Sequence, residues 1–319
     1  MINPDIFDNN VYIFEKANAV FLAHFAKEDI ESLTLTHLGD EMRPGDLYQG
    51  CVERLEGSRA WVDIGHARPA LLTAPNKSLI VGERVCVRID RVPTSSPVWG
   101  QKGAQVTQKS IKLAKGSSKT GKIQAAPEEW LSYLEAQKMP LKVITPSERI
   151  FHELKKSPSS HNVVLKSDVK VPPEFSIAWQ SLLEPVVRIP GGGWILIEEG
   201  ETLTAIDVNT SGGEFISSDF KQDRDWLKFN QRAAHVIQSQ IKERQLGGII
   251  VIDFPRLHEK KNQEALYHTM MTLNDQLSWV LGFTKGGLFE MTRQKNHDSL
   301  PRRLREIMKK TDISFLHNR

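Results

Sequence analysis

The chain has 319 residues, 39% of them hydrophobic and 25% charged, with a formal net charge of +3 at pH 7. That balance excludes fibrous and disordered classes, leaves room for two or three domains with cores of their own, and permits anionic partners without arguing for them. Two cysteines, Cys51 and Cys86, far apart and without a CxxC spacing, exclude a disulfide scaffold and a cysteine zinc site. The opening MINPDIFDNN has no basic segment followed by an apolar run, and no stretch approaches about eighteen apolar residues, so a cytoplasmic location without membrane contact is expected.

Residues 11–38 mix alternating and continuous apolar runs bounded by polar turns, which predicts two or three strands that cannot form a core alone and need partners from later in the chain. From Arg43 to about Val106 the texture changes to short strand-like runs, DLYQGCVERL, SRAWVDIG, PALLTA and ERVCVRIDRV, separated by glycine-bearing turns. This predicts a small barrel of about five strands over residues 40–106, and the OB-fold is the commonest such barrel that binds oligonucleotides. Trp61 has two readings there, a base-stacking platform or a core aromatic.

Residues 107–127 read as a basic linker, with Lys109, Lys112, Lys115, Lys119 and Lys122 and no acidic residue, either a solvated loop or a phosphate contact. Gly116 to Lys122 spells GxxxxGK, but Ile123 follows where a P-loop needs Ser or Thr, and no buried strand precedes it, so nucleotide binding there is rejected. Residues 128–190 alternate helical segments (PEEWLSYLEAQ, PSERIFHELKKS, PPEFSIAWQSLLEP) with short strands such as LKVIT. They predict an α/β layer that completes the N-terminal strands of residues 1–39, with the barrel inserted between the two halves.

Residues 191–299 hold the pattern on which function turns. WILIEE and TLTAIDVN predict a hairpin turning at Glu199-Gly200-Glu201. Residues 219–245 carry Trp226, Phe229, Ala233, Ile237 and Ile241 at spacings of three and four, an amphipathic helix ended by Gly247-Gly248, and IIVIDF then reads as a buried strand. A further helix, two strand-like runs and a basic tail over 300–319, helical from Pro301 to Lys310, complete the chain.

A strand, a helix and a strand of this length form a right-handed parallel crossover, which brings the carboxyl ends of TLTAIDVN and IIVIDF to one sheet edge. Asp207 and Asp253 both stand at that edge, where ligands bind in open α/β sheets. Two carboxylates on strands one or two spacings of about 4.8 Å apart repel unless a cation lies between them. Mg²⁺ suits the arrangement, since it takes one or two carboxylates and accepts a phosphate oxygen. Asn209, on the same strand face as Asp207, can support it. The chemistry implied is metal-assisted phosphodiester hydrolysis. The competing reading is that each aspartate caps the following turn. His235, His258, His268 and His297 lack HExxH-type spacing, and no nucleophile elbow or Cys–His signature is present.

AIDVNT at 205–210, Asn230-Gln231-Arg232-Ala233-Ala234, QLGGIIVIDF at 245–254 and GLFEMTRQ at 287–294 closely resemble the catalytic region of the ribonuclease E and ribonuclease G family, with the IDVNT spelling nearer the G branch. GDLYQGCVERL, AWVDIG and IDRV with KGAQVT resemble that family's inserted RNA-binding OB barrel. The resemblance implies a ribonuclease H-like subdomain from residues 1–39 and 128–190, and an α/β catalytic region with a mixed sheet over 191–299. It also implies magnesium-dependent endonucleolytic hydrolysis of single-stranded RNA to 5′-phosphate ends, in rRNA maturation or RNA turnover, with rRNA precursors or mRNA as partners. Asp207 and Asp253 take the metal-binding positions, Asn209 supports them, Trp61 and Lys102 take RNA-binding positions in the barrel, and Arg244 and Arg293 fall where phosphate contacts are expected.

Departures accompany the resemblance. The family's 5′-monophosphate-sensing segment has no counterpart, the linker 107–127 standing in its place, and the CPxC zinc-link is absent, which leaves a homo-oligomer open. Arg256 stands where a second acidic residue is usual, Arg232 and Ser239 replace Glu and Arg, and Pro69-Ala70-Leu71 replaces Gly-Phe-Leu. They motivate an alternative of a different class, a non-catalytic or weakly catalytic RNA-binding protein on the same scaffold.

Overall fold

The computed structural model describes residues 9–26, 29–39, 42–73, 75, 78–96, 100–111, 119–157, 161–210 and 222–313. The chain divides into two compact units, one made of residues 36–137 and the other of the residues before and after that stretch.

In the discontinuous unit, strands β1 (Asn10–Lys16), β2 (Ala19–Ala26) and β3 (Asp29–His37) are joined in one sheet by β12 (Lys142–Thr145) and β13 (Asn162–Leu165), in the order β13-β12-β1-β2-β3. The N-terminal strands thus obtain the partners their apolar runs require, β12 lying parallel to both β1 and β13. Helix α2 (Glu148–Lys156) follows β12 and is capped by Ser147, whose side chain accepts from Ile150 N. Helix α3 (Pro173–Ser181) and helix α6 (Leu300–Lys310) pack Phe175, Trp179, Leu300, Leu304 and Ile307 against Phe14, Phe21, Phe25 and Leu35. The basic tail helix expected over 301–310 is thus present, and it is packed into the core. Leu300, Leu304 and Ile307 recur at helical spacing and are buried, while Arg302 turns back to Glu199 at 3.0 Å.

A second sheet of the same unit has the order β14-β15-β16-β17-β19-β18, built from β14 (Val186–Arg188), β15 (Trp194–Glu199), β16 (Leu203–Asn209), β17 (Gly248–Asp253), β18 (Ser278–Phe283) and β19 (Phe289–Arg293). It is mixed, with β16 and β17 parallel and β14–β15, β15–β16, β17–β19 and β18–β19 antiparallel. Helix α4 (Asp223–Glu243) makes the crossover from β16 to β17, and α5 (Lys260–Leu273) follows β17. Both helices bury their apolar stripes, Phe229, Ala233, Ile237, Ile241, Leu266 and Met270, on one face formed by Ile195, Ile206, Val208, Ile250 and Ile252. The opposite face carries Asp207, Asp253, Leu203 and Ile249, all exposed.

The expected stop of α4 at Gly247-Gly248 is corrected. The helix closes two residues earlier, where Gln245 adopts φ 52° and Leu246 N donates to Ile241 O at 3.0 Å while Gln245 N donates to Lys242 O. This is the six-to-one and five-to-two pairing that usually takes glycine, here with the buried Leu246–Ile241 contact to hold it. Gly247 serves close approach instead, since a Cβ there would lie 2.9 Å from Lys295 Cα.

The continuous unit contains β4 (Leu47–Glu56), β5 (Arg59–Asp63), β6 (Ala70–Thr73), β7 (Arg84–Arg91), the short pair β8 (Thr94–Ser96) and β9 (Gly100–Lys102), β10 (Gln105–Lys109), β11 (Gly121–Gln124) and helix α1 (Glu129–Glu135). The ladder β4-β5-β6-β10-β7 returns to β4 and closes, around a core of Tyr48, Val52, Val62, Leu72, Val85, Val87, Ile89 and Val106. The linker reading of 107–127 is corrected at both ends, where β10 and β11 are ladder strands; Lys112 and Lys115 lie outside the described residues. Residues 128–137 also fall in this unit rather than with the α/β layer, with Trp130 fully buried.

Candidate functional site

The site is assembled by strand register. Asp207 on β16 stands directly opposite Asp253 on β17, and Asp207 also faces Leu196 on β15. Directly opposed residues share a face, so the two carboxylates lie side by side on strands about 4.8 Å apart, on the sheet face that α4 and α5 leave open. The alternation of β16 explains why: Thr204, Ile206 and Val208 point into the core, which forces Asp207 outward. Asn209 Nδ2 donates to Asp207 Oδ2 at 2.7 Å. A carboxylate only accepts, so the amide nitrogen must be the end turned toward it.

Among the described residues neither aspartate accepts a backbone N–H; residues 211–221, which follow the strand of Asp207, lie outside them. What holds the site is around them. Gly193, at φ +85°, lies so close to Asn209 that a Cβ would sit 2.5 Å from its carbonyl oxygen and 2.9 Å from the Phe229 ring. The loop after Asp253 is fastened at three points: Asn230 Nδ2 donates to Pro255 O at 2.7 Å, Gln263 Nε2 to Leu257 O at 2.7 Å, and Asp223 accepts from His258 N, Glu259 N and Asn262 Nδ2. For Asp223, burial pulls its carboxyl up, and these hydrogen bonds outweigh it and hold the group below the usual carboxylate range. Sequence reading missed Asp223 and Gln263, since side-chain bonds to a distant loop leave no periodic signal.

Arg244 and Arg293 were expected near phosphate, and the structure puts both to other uses. Arg244 is only 4% exposed, and its guanidinium donates to the carbonyls of Leu182, Ser181 and Glu184 and to Gln240 Oε1. Burial pushes it down to about 10, still cationic at neutral pH. Arg293 pairs with Asp275 and donates to Leu246 O. Each ties chain segments together with donors a phosphate would need.

In the barrel unit Trp61 is half-buried and absent from the core, with Arg54 of the neighbouring strand 4.1 Å over its ring. The core-aromatic reading is thereby dropped. Lys102 is exposed on β9. Lys122, by contrast, pairs at 3.2 Å with Asp46, which is wholly buried and also accepts from Arg43 N and Ala126 N.

For a metal, the pair offers two adjacent carboxylates and a neighbouring amide, hard oxygen donors that fit Mg²⁺ with water completing its shell. Among the described residues no group of three or more His, Cys, Asp or Glu side chains could hold a metal. Nor is any described helix long and apolar enough to cross a membrane.

The site is thus two in-register aspartates at the carboxyl ends of adjacent parallel strands in a mixed sheet. Residues 142–296 match the Ribonuclease E/G family. Ribonuclease G of Escherichia coli is 32% identical over 124 residues, 38% of this chain and 25% of that protein. Ribonuclease E of Synechocystis sp. is 36% identical over 121 residues, 37% of this chain and 18% of that protein. Ribonuclease G of Haemophilus influenzae is 34% identical over 129 residues, 39% of this chain and 25% of that protein. The matched stretch thus spans a quarter or less of each of these relatives.

Proposed function

We infer that the chain is a magnesium-dependent endoribonuclease that hydrolyses single-stranded RNA to 5′-phosphate products, in rRNA processing or RNA turnover. The observation that carries the reading is the register pair Asp207–Asp253 on an open sheet face within the family region. Asp207 and Asp253 would hold the ion, and Asn209 would fix the rotamer of Asp207 through its 2.7 Å bond. The ion supplies charge neutralisation at the phosphoryl group and a more acidic water. The chain's own contribution is placement: Gly193 sets the strand carrying Asn209, and the fastened loop fixes the backbone after Asp253.

The closed ladder β4-β5-β6-β10-β7, with β6 and β10 parallel, supports reading the second unit as an OB-type barrel for RNA. Trp61 would be its stacking platform and Lys102 a phosphate contact, so Trp61→Ala should weaken RNA binding by about 1 to 3 kcal/mol.

The test is a magnesium titration of cleavage on an end-labelled, single-stranded, AU-rich RNA, with wild type beside Asp253→Asn and a duplex as control. Magnesium-dependent cuts bearing 5′-phosphates, lost in Asp253→Asn with RNA binding kept, are expected. A wild type that binds the RNA and leaves it intact at every magnesium concentration would overturn hydrolysis in favour of an RNA-binding protein on this scaffold.

A further inference from the structure

The carboxylate pair has neighbours that the nuclease reading leaves without a role. On the same open face, the register sets Trp194 of β15 directly opposite Asn209 and, on its other side, directly opposite Arg188 of β14. Trp194 is therefore the diagonal neighbour of Asp207, at a separation of about 7–8 Å. The alternation in β15 fixes its direction, since Ile195 and Ile197 point into the core and are buried while Trp194 is half-exposed. Arg188 is exposed, and neither it nor the Trp194 indole nitrogen makes a side-chain hydrogen bond or ion pair among the described residues. Across four adjacent strands, about 14 Å, the face thus presents a guanidinium, an indole, an amide and two carboxylates in sequence.

The rest of that face points the other way. Glu198, Ala205, Val251 and Glu290 form the row behind the carboxylates, and its two acids disfavour a phosphate chain running along the strands. Leu196 and Val186 lie between, without charge. Arg188 places a positive charge on the β14–β15 side of Asp207, which favours an anionic strand there.

We propose that Trp194 and Arg188 form a subsite for one nucleotide of a single-stranded nucleic acid next to the carboxylate pair, Trp194 stacking on its base and Arg188 contacting a phosphate. The proposal rests on the nuclease reading for the identity of the neighbouring site. Indole stacking tolerates any base, so the subsite selects an unpaired nucleotide rather than a sequence. A duplexed base has no free face to offer, which makes Trp194 a positioning residue for single-strand preference.

The experiment is abasic scanning. A fluorescent single-stranded RNA carrying one abasic nucleotide at successive positions is bound, without magnesium, to wild type, Trp194→Ala, Trp194→Phe and Arg188→Gln. Wild type should lose roughly 5- to 150-fold in affinity at the position that meets Trp194. In Trp194→Ala the unmodified RNA should already bind that much more weakly and the dip at that one position should vanish, other dips staying. Trp194→Phe should restore most of it. Arg188→Gln should lower the slope of log affinity against log salt by about 0.7. Identical abasic profiles in wild type and Trp194→Ala, with equal urea midpoints, would overturn the subsite; if Trp194→Ala fails to fold, Trp194→Phe and Arg188→Gln still decide through dip depth and salt slope. With magnesium the two readings separate. A wild type that shows the dip but does not cut removes hydrolysis and leaves the subsite, whereas one that cuts with a profile indifferent to Trp194 removes the subsite alone.

Discussion

Asp46 and Asp253 are both aspartates at strand ends, and the molecule treats them in opposite ways. Asp46, just before β4, is wholly buried and takes two backbone N–H donors and the Lys122 ammonium, the capping duty that such aspartates commonly serve. Asp253, at the end of β17, is exposed beside another carboxylate and accepts nothing among the described residues. Two like charges placed together in water's reach contribute no stability. A strand-end aspartate with its oxygens occupied is structural, and one left open next to its like has no such duty among the described residues, which is what the proposed metal role of the pair builds on. The same contrast separates the arginines, where Arg244 is enclosed by carbonyls and Arg188 is open.

The contrast is most easily broken at Asp46. Asp46→Ala strands two N–H groups and a half-buried ammonium, so the barrel unit should lose about 3 to 5 kcal/mol, read from its urea midpoint. A loss within about 0.5 kcal/mol would show that burial and hydrogen bonding do not mark the structural class. Asp207→Asn is the converse. Its side chain is exposed and, among the described residues, held by the Asn209 amide alone, so the midpoint should hold while single-turnover cleavage falls about a hundredfold or more. A midpoint shift like that of Asp46→Ala, with cleavage unchanged, would move Asp207 to the structural side.

Much of this was legible before any coordinates. The period-two and period-3.6 patterns located the hairpin, the crossover helix and the strand of Asp253, and crossover handedness then placed both aspartates at one edge. What the pattern could not give was register: one or two strand spacings were equally compatible with it, and only the Asp207–Asp253 pairing settles adjacency. The misreadings share a cause. The lysines of 107–127 looked like linker because β11 has no apolar period; its strand is held by pairing to β4 and by the Lys122–Asp46 ion pair, which are long-range. Arg244 looked like a surface cation because sequence does not show that a helix end will be buried against the carbonyls of residues 181–184. Gln245 at φ 52° hid the helix stop for the same reason, since tertiary contact overrode the glycine rule.

Asn209 tests the boundary between the two classes. It is neither buried nor charged, and its amide holds Asp207 at 2.7 Å. Asn209→Ala should reduce cleavage roughly tenfold, with the magnesium concentration for half-maximal rate raised, since partners that orient a ligand typically matter to that extent. An unchanged magnesium dependence would mean that Asp207 keeps its orientation without help.

The smallest effect concerns acid. Burial pulls the Asp275 carboxyl up, but Ser278 Oγ, the Arg293 guanidinium and Leu277 N outweigh it and hold the group below its ordinary range. A carboxyl depressed in the folded state contributes stability that is present above its unfolded value and lost as pH falls through the folded one. The stability difference between wild type and Asp275→Asn should therefore be constant from about pH 5 to 8 and shrink below about pH 4. A difference that stays constant down to about pH 3 would mean that the bonds from Ser278, Arg293 and Leu277 do not favour the ionised form of Asp275 in the folded state, and that an occupied aspartate is not held by its donors.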